Sequence, residues 1–167
     1  TGRLIKKQKP DAKVVFIGPC AAKKLEASRK SVRSDVDFVL TFEEVMGMFE
    51  AKGINLPQVE ADAPFEEGTA NGRGFAVSGG VANAVKQCIQ KEHPDKEVLI
   101  DSAEGLKNCR TMLMMAKAGK RNGYLLEGMA CPGGCVAGAG TLQPVIKSSA
   151  LVKKYTNDAE KKLAFES

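Results

Sequence analysis

A chain of 167 residues, 43% hydrophobic and 27% charged, fits one globular domain with a real core. Aliphatic side chains must fill that core, because aromatics are only 5% and tryptophan is absent. The net charge of +5 is spread along the chain, with small clusters at Arg3 to Lys9 and at Lys153–Lys154; this describes a solvated surface and argues against nucleic acid as a partner. No run reaches the ~18 apolar residues of a membrane span and no secretory signal opens the sequence, so a cytoplasmic location without membrane insertion is expected.

Lys13 to Ile17 (KVVFI) is a short apolar, β-branched run and reads as a buried strand, closed by Gly18-Pro19-Cys20. Ala21 to Arg29 is rich in helix formers, and Asp37 to Leu40 is a second strand or extended segment. Thr41 with Glu44 three residues on forms a capping box. The helix it opens carries Val45, Met48 and Phe49 on one face and ends near Gly53. Residues 55–74, with their prolines, glycines and acids, predict a long loop. Phe75 to Val77 predicts a short strand. Gly79-Gly80 then turns the chain into a helix to about Glu92, with Val81, Val85, Cys88 and Ile89 on one face and Pro94 marking its end. Glu97 to Ile100 is the next strand. Asp101 and Glu104 suggest a second capping box, opening a helix to about Ala118 with Leu106, Cys109, Leu113 and Ala116 as its stripe. Tyr124 to Leu126 is a strand that leads into a glycine-rich stretch ending at Gly140. Residues 145–167 predict a charged helical tail.

This alternation predicts an α/β fold in a single domain over 1–167: three layers, α/β/α, with a mostly parallel sheet of about four strands flanked by helices. In open sheets of this kind sites form beyond the carboxyl ends of the strands. Cys20 and Cys131 each follow a strand, which places both on the same sheet edge.

Five cysteines are too few and too unevenly spaced for a disulfide scaffold. Cys88 and Cys109 fall in helix stripes and read as small packing residues. Cys131 and Cys135 stand in MACPGGCVAGAG, where glycines let backbone approach a bulky inorganic group and aim N–H groups at it. An iron–sulfur role fits this pair better than a structural turn. Zinc would favour a second matching pair or histidines, and the only histidine, His93, sits beside Pro94 at a helix end. Cys20 stands in FIGPCAAKKLEA, with Lys23 about one helical turn on. A cation there lowers a thiol pKa and suits an anionic cofactor, while a merely solvated lysine is the competing reading. Three thiolates leave a tetrahedral-iron cluster one protein ligand short. Cys88 or Cys109 would have to leave its helix stripe to complete it, or the ligand lies outside the chain.

These segments resemble the iron-only hydrogenases. Pro19-Cys20-Ala21-Ala22-Lys23-Lys24-Leu25-Glu26 matches the family's second signature, P-C-x-x-K-x-x-E, and Glu127 to Gly140 matches every fixed position of its third, E-x-M-A-C-x-x-G-C-x-x-G-x-G. The resemblance, from about Lys13 to Thr141, implies that Cys20, Cys131 and Cys135 ligate a 4Fe-4S cluster. It implies that Cys135 also bridges to a di-iron unit with CO and cyanide ligands, the whole forming an H-cluster. Lys23 would donate to a cyanide, supported by the Pro19 region, and Met129 would pack beside the di-iron unit. Phe75 and Ser78 would line the same pocket, with Glu26 and Glu127 behind. Lys23, Met129 and Cys135 would then be the catalytic set. The activity implied is reversible reduction of protons to dihydrogen, with ferredoxin or another electron carrier and maturation factors as partners. The family's first signature, T-S-C-C-P, has no match in this sequence, so the resemblance implies a fragment of the H-cluster domain, inactive and cluster-free without the missing N-terminal part. Gly18 stands where the best-studied hydrogenases have methionine, as in divergent members thought to sense hydrogen. A hydrogen sensor, and an iron–sulfur assembly relative without a di-iron site, are the competing readings.

Overall fold

The computed structural model describes residues 1–29, 31–32, 35–60, 62 and 68–166. The chain divides into two compact units, one of Thr1–Ala63 with Gly138–Leu142 and the other of Pro64–Ala137 with Gln143–Ser167.

The first unit contains α1 (Gly2–Gln8), β1 (Val15–Ile17), α2 (Ala22–Ser28), β2 (Phe38–Leu40) and α3 (Phe42–Ala51), with a 3-10 turn at Leu56–Gln58. The strands pair in parallel, Val15 against Phe38 through Ile17 against Leu40. Asp37 sets the start of that pairing. Its carboxylate accepts the Val14 amide at 2.7 Å and the Lys6 ammonium at 2.9 Å, and these two donors hold it below the ordinary carboxylate range. The expected capping box forms: the Thr41 hydroxyl accepts the Glu44 amide at 3.3 Å, and the Glu44 carboxylate accepts the Thr41 amide at 2.8 Å. Lys24 donates to the same carboxylate, and Lys24 first and the Thr41 amide second pull Glu44 down to about 2. Of the face expected on α3, Val45 and Phe49 turn inward while Met48 is 56% exposed.

The second unit contains α4 (Ala70–Gly74), α5 (Gly80–Glu92), β3 (Leu99–Glu104), α6 (Leu106–Lys117), β4 (Tyr124–Met129) and α7 (Val145–Asn157), with 3-10 turns at Cys135–Ala137 and Ala164–Glu166. β3 and β4 pair in parallel from Leu99 and Tyr124 to Glu104 and Met129. Gly128 leaves one face of β4 bare, so Cys109 and Met112 of α6 settle against it; a Cβ at Gly128 would lie 3.3 Å from the Cys109 sulfur. On the other face Glu127 reaches α5, whose buried Ala82 and Ala84 allow a close approach. Helix, parallel strands and helix thus form the expected α/β/α layers.

Several local expectations are corrected. Among the described residues the strands make two separate parallel pairs in place of one sheet of about four, and β1 and β2 are only three residues long. Phe75 to Val77 is not a strand. The Thr69 hydroxyl caps α4 by accepting the Gly72 amide at 3.1 Å, Phe75 keeps helical angles, and the turn to Gly80 closes so tightly that a Cβ there would lie 2.0 Å from the Gly74 carbonyl oxygen. Asp101 and Glu104 form no capping box, because β3 runs through both and α6 starts after Gly105, at φ 76°. Asp101 instead pairs with Arg121 at 2.5 Å. The inner face of α6 is Cys109 and Met112, leaving Leu106 75% and Leu113 59% exposed. α5 turns Ala82 and Ala84 inward and leaves Val85 exposed. Past α7 the tail is fastened: the carbonyls of Lys161 and Lys162 accept the amides of Ala70 and Asn71. Of the loop expected over 55–74, residues 61 and 63–67 lie outside the described residues.

Candidate metal centre

In the first unit, Gly18-Pro19-Cys20 ends β1 and α2 begins two residues later. The Gly18 amide donates to the Leu40 carbonyl at 3.0 Å. The Phe16 ring covers Gly18, so a Cβ at residue 18 would stand 2.8 Å from its Cε1. The Pro19 carbonyl accepts the Gly140 amide at 2.9 Å, and a Cβ on Gly138 would come within 2.2 Å of that oxygen. The glycines at the end of the MACPGGCVAGAG run therefore serve close backbone packing against the turn that carries Cys20. Cys20 is half-buried, and its carbonyl accepts the Lys23 amide at 3.3 Å. The Lys23 ammonium points to Glu26, at 2.5 Å.

In the second unit, β4 delivers Met129, half-buried, and then the turn holding half-buried Cys131 and exposed Cys135. Gly133 and Gly134 both have left-handed φ, 96° and 95°. Such angles bring the two cysteines into one compact turn, which residues with a Cβ would strain. The Gly134 amide closes the turn onto the Cys131 carbonyl at 3.0 Å. Residues 76–78 clamp it: the Ser78 amide donates to the Gly133 carbonyl at 3.3 Å, and the Val136 amide to the Ala76 carbonyl at 3.0 Å. A Cβ on Gly134 would lie 2.5 Å from the Ser78 nitrogen. Ser78 thus touches the turn through its backbone, and Phe75, immediately before that clamp, is 43% exposed. Two acids hold this framework. Glu127, 7% exposed, accepts the Gly79 amide at 2.5 Å and the Ala82 amide at 3.0 Å. Glu104 accepts the Gly133 amide at 3.0 Å.

The donor chemistry suits an iron–sulfur group: soft thiols on a glycine turn, with no histidine near them in sequence. No disulfide joins the five cysteines. Among the described residues, no group of three or more His, Cys, Asp and Glu is arranged to hold a metal ion. Cys88 is half-buried in α5, and the Cys109 thiol points at the carbonyls of Ala103 and Met129, 3.4 and 3.6 Å away.

Residues 1–139 match the family model described as iron only hydrogenase large subunit, C-terminal domain. The chain belongs to this family. It is 31% identical to a periplasmic Fe hydrogenase large subunit of Nitratidesulfovibrio vulgaris, over 84% of this chain and 41% of that protein. It is 33% identical to the NADP-reducing hydrogenase subunit HndD of Solidesulfovibrio fructosivorans, over 90% of this chain and 32% of that one. It is also 30% identical to cytosolic iron-sulfur assembly component 3 of Pongo abelii, over 77% of this chain and 35% of that one. The chain thus spans less than half the length of each of these curated relatives. An FeFe-hydrogenase structure from Chlamydomonas reinhardtii superposes with a TM-score of 0.65 at 20% identity, covering 99% of this chain and 59% of that one, and it carries the same fold. Among the described residues no helix is long and apolar enough to cross a membrane.

Glu104 and its bond to Gly133 were not legible in the sequence. The two residues are 29 positions apart, and only the parallel pairing of Glu104 with Met129 brings them together.

Proposed function

We propose that the chain supplies the thiolates of Cys20, Cys131 and Cys135 to an iron–sulfur centre of the H-cluster type, in a protein that reversibly reduces protons to dihydrogen. The single observation that carries this reading is the Cys131–Cys135 turn, two thiols held by left-handed glycines and clamped by residues 76–78. Retention of Lys23 within Pro19-Cys20-Ala21-Ala22-Lys23 favours a di-iron unit beside the cluster. When bound, that group supplies the chemistry joining two protons and two electrons into dihydrogen. The protein's own work is positional and electrostatic. Cys135 would hold that group through its thiolate, and Met129 would pack beside it. Lys23 would release Glu26, its partner at 2.5 Å, to donate to an anionic ligand of that group. Pro19, Phe75 and Ser78 shape the surroundings. A ferredoxin or similar carrier delivers electrons, maturation factors install the di-iron unit, and the protein acts in the cytoplasm.

The iron–sulfur assembly relative supports a second reading, in which the same thiolates hold an ordinary cluster without a di-iron unit. A hydrogen-sensing role is a third, and Gly18 under the Phe16 ring is its motive. Anaerobic purification of the native polypeptide that contains this chain, with iron and sulfide analysis, tests the shared premise. We expect bound iron and sulfide that fall sharply in Cys131→Ser. Equal content in the substituted protein would refute the ligand assignment. Hydrogen evolution from a reduced viologen then separates the enzyme from the other two roles.

A further inference from the structure

Three hydrogen bonds from elsewhere in the second unit hold the Cys131–Cys135 turn and Val136 just past it. Two use backbone on both sides, Ser78 to Gly133 and Val136 to Ala76. The third is a side chain: the Glu104 carboxylate accepts the Gly133 amide at 3.0 Å, at the midpoint of the thiol pair. Glu104 is the last residue of β3, paired with Met129, and the next amide, Gly105, donates to the Met129 carbonyl at 2.8 Å. The carboxylate is therefore carried by the same strand end that fixes Met129. A bond from a carboxylate to an amide is charge-assisted and roughly twice as strong as a neutral one. Glycines at left-handed φ give the turn many other conformations, so holding it at one amide removes much of that freedom.

We propose that Glu104 is a positioning residue for the Cys131–Cys135 thiol pair, fixing the turn through the Gly133 amide so that both sulfurs are presented together to a metal. This rests on the reading of the two cysteines as ligands. Glu104 holds the Gly133 amide, between the two cysteines in sequence. It acts through the backbone between them, as outer groups around metal sites orient the ligands, and loss of such a group costs about 10- to 100-fold in metal affinity.

The test uses the full 167-residue chain, reduced and anaerobic, titrated with Co2+ and followed by thiolate-to-cobalt charge-transfer absorption. Amide exchange at Gly133 is measured in parallel by NMR. Glu104→Ala should weaken Co2+ binding about 10-fold or more. It should also speed Gly133 exchange, while exchange in α5 and β4 stays slow. Glu104→Gln keeps an oxygen acceptor and should stay within about threefold of the unsubstituted chain. Unchanged affinity and unchanged Gly133 exchange in Glu104→Ala would overturn the proposal, as would a cobalt signal that survives Cys131→Ser. If Glu104→Ala fails to fold, the unsubstituted chain decides, because solvent-like exchange at Gly133 would overturn it. Absence of any cobalt signal from the unsubstituted chain would sink the ligand reading itself, while the exchange rate still reports on the Glu104 bond.

Discussion

Glu127 links β4 to the start of α5, and removing its carboxylate should strongly destabilise the second unit. The side chain is 7% exposed and accepts two amides, Gly79 and Ala82. These belong to the first turn of a 13-residue helix, whose free N–H groups need acceptors and whose dipole favours an anion. Each hydrogen bond to a charged group contributes about 1.5–3 kcal/mol, and truncation leaves both donors without their carboxylate. Relief of the carboxylate's own desolvation offsets part of this, so Glu127→Ala should cost about 3–5 kcal/mol. For a chain of this size that lowers Tm by about 6–20 °C. Glu127→Gln should cost roughly half as much, because its amide oxygen still satisfies one donor while its NH2 opposes the other. Urea and thermal unfolding followed by far-UV circular dichroism measure both. A cost below about 1 kcal/mol for Glu127→Ala would refute the assignment of Glu127 as the anchor of α5.

Gly134→Ala must place a Cβ 2.5 Å from the Ser78 nitrogen at a left-handed φ, so it should cost at least about 2 kcal/mol and speed alkylation of Cys131; wild-type alkylation kinetics would contradict this. Gly18→Met should cost about 1–3 kcal/mol because the Phe16 ring occupies the space, and Phe16→Leu in the same chain should recover part of the loss. Glu44 is held down at about 2, chiefly by Lys24. Because its folded pKa lies below the ordinary value of 4.5, its stabilisation of α3 is complete above that value and fades as pH falls through about 2. A carboxyl NMR titration of Glu44 with a midpoint near 4.5 would contradict the capping box.

Features written in neighbouring residues were legible. Thr41 and Glu44 belong to the same first turn, and their reciprocal bonds form as the spacing predicts. The strand runs around Val15 and Leu125 were legible too, and so was the α/β layering that places helices on both faces of β3 and β4. The same spacing misled at Asp101 and Glu104. There the parallel ladder with β4 carries the backbone straight through, and both acids find partners far along the chain, Arg121 and Gly133. The helix stripes depart from the sequence pattern for a related reason. Which face of α6 turns inward depends on the bare patch at Gly128, so Cys109 and Met112 are accepted while Leu106 is not. Within the candidate site the cysteines proposed as ligands stand out in the sequence as a motif. The supports do not, because the clamp by residues 76–78 and the carboxylate of Glu104 depend on tertiary pairing.

Cys20, Cys131 and Cys135 are proposed to serve a centre of the H-cluster type. Infrared spectroscopy of the native polypeptide, purified anaerobically from cells that hold the hydrogenase maturation factors, tests this most directly. The expected result is a set of CO and cyanide stretching bands that Cys135→Ser abolishes and that Lys23→Ala shifts or weakens. An iron–sulfur protein with full iron content and no such bands would contradict it and leave the assembly-type reading in its place.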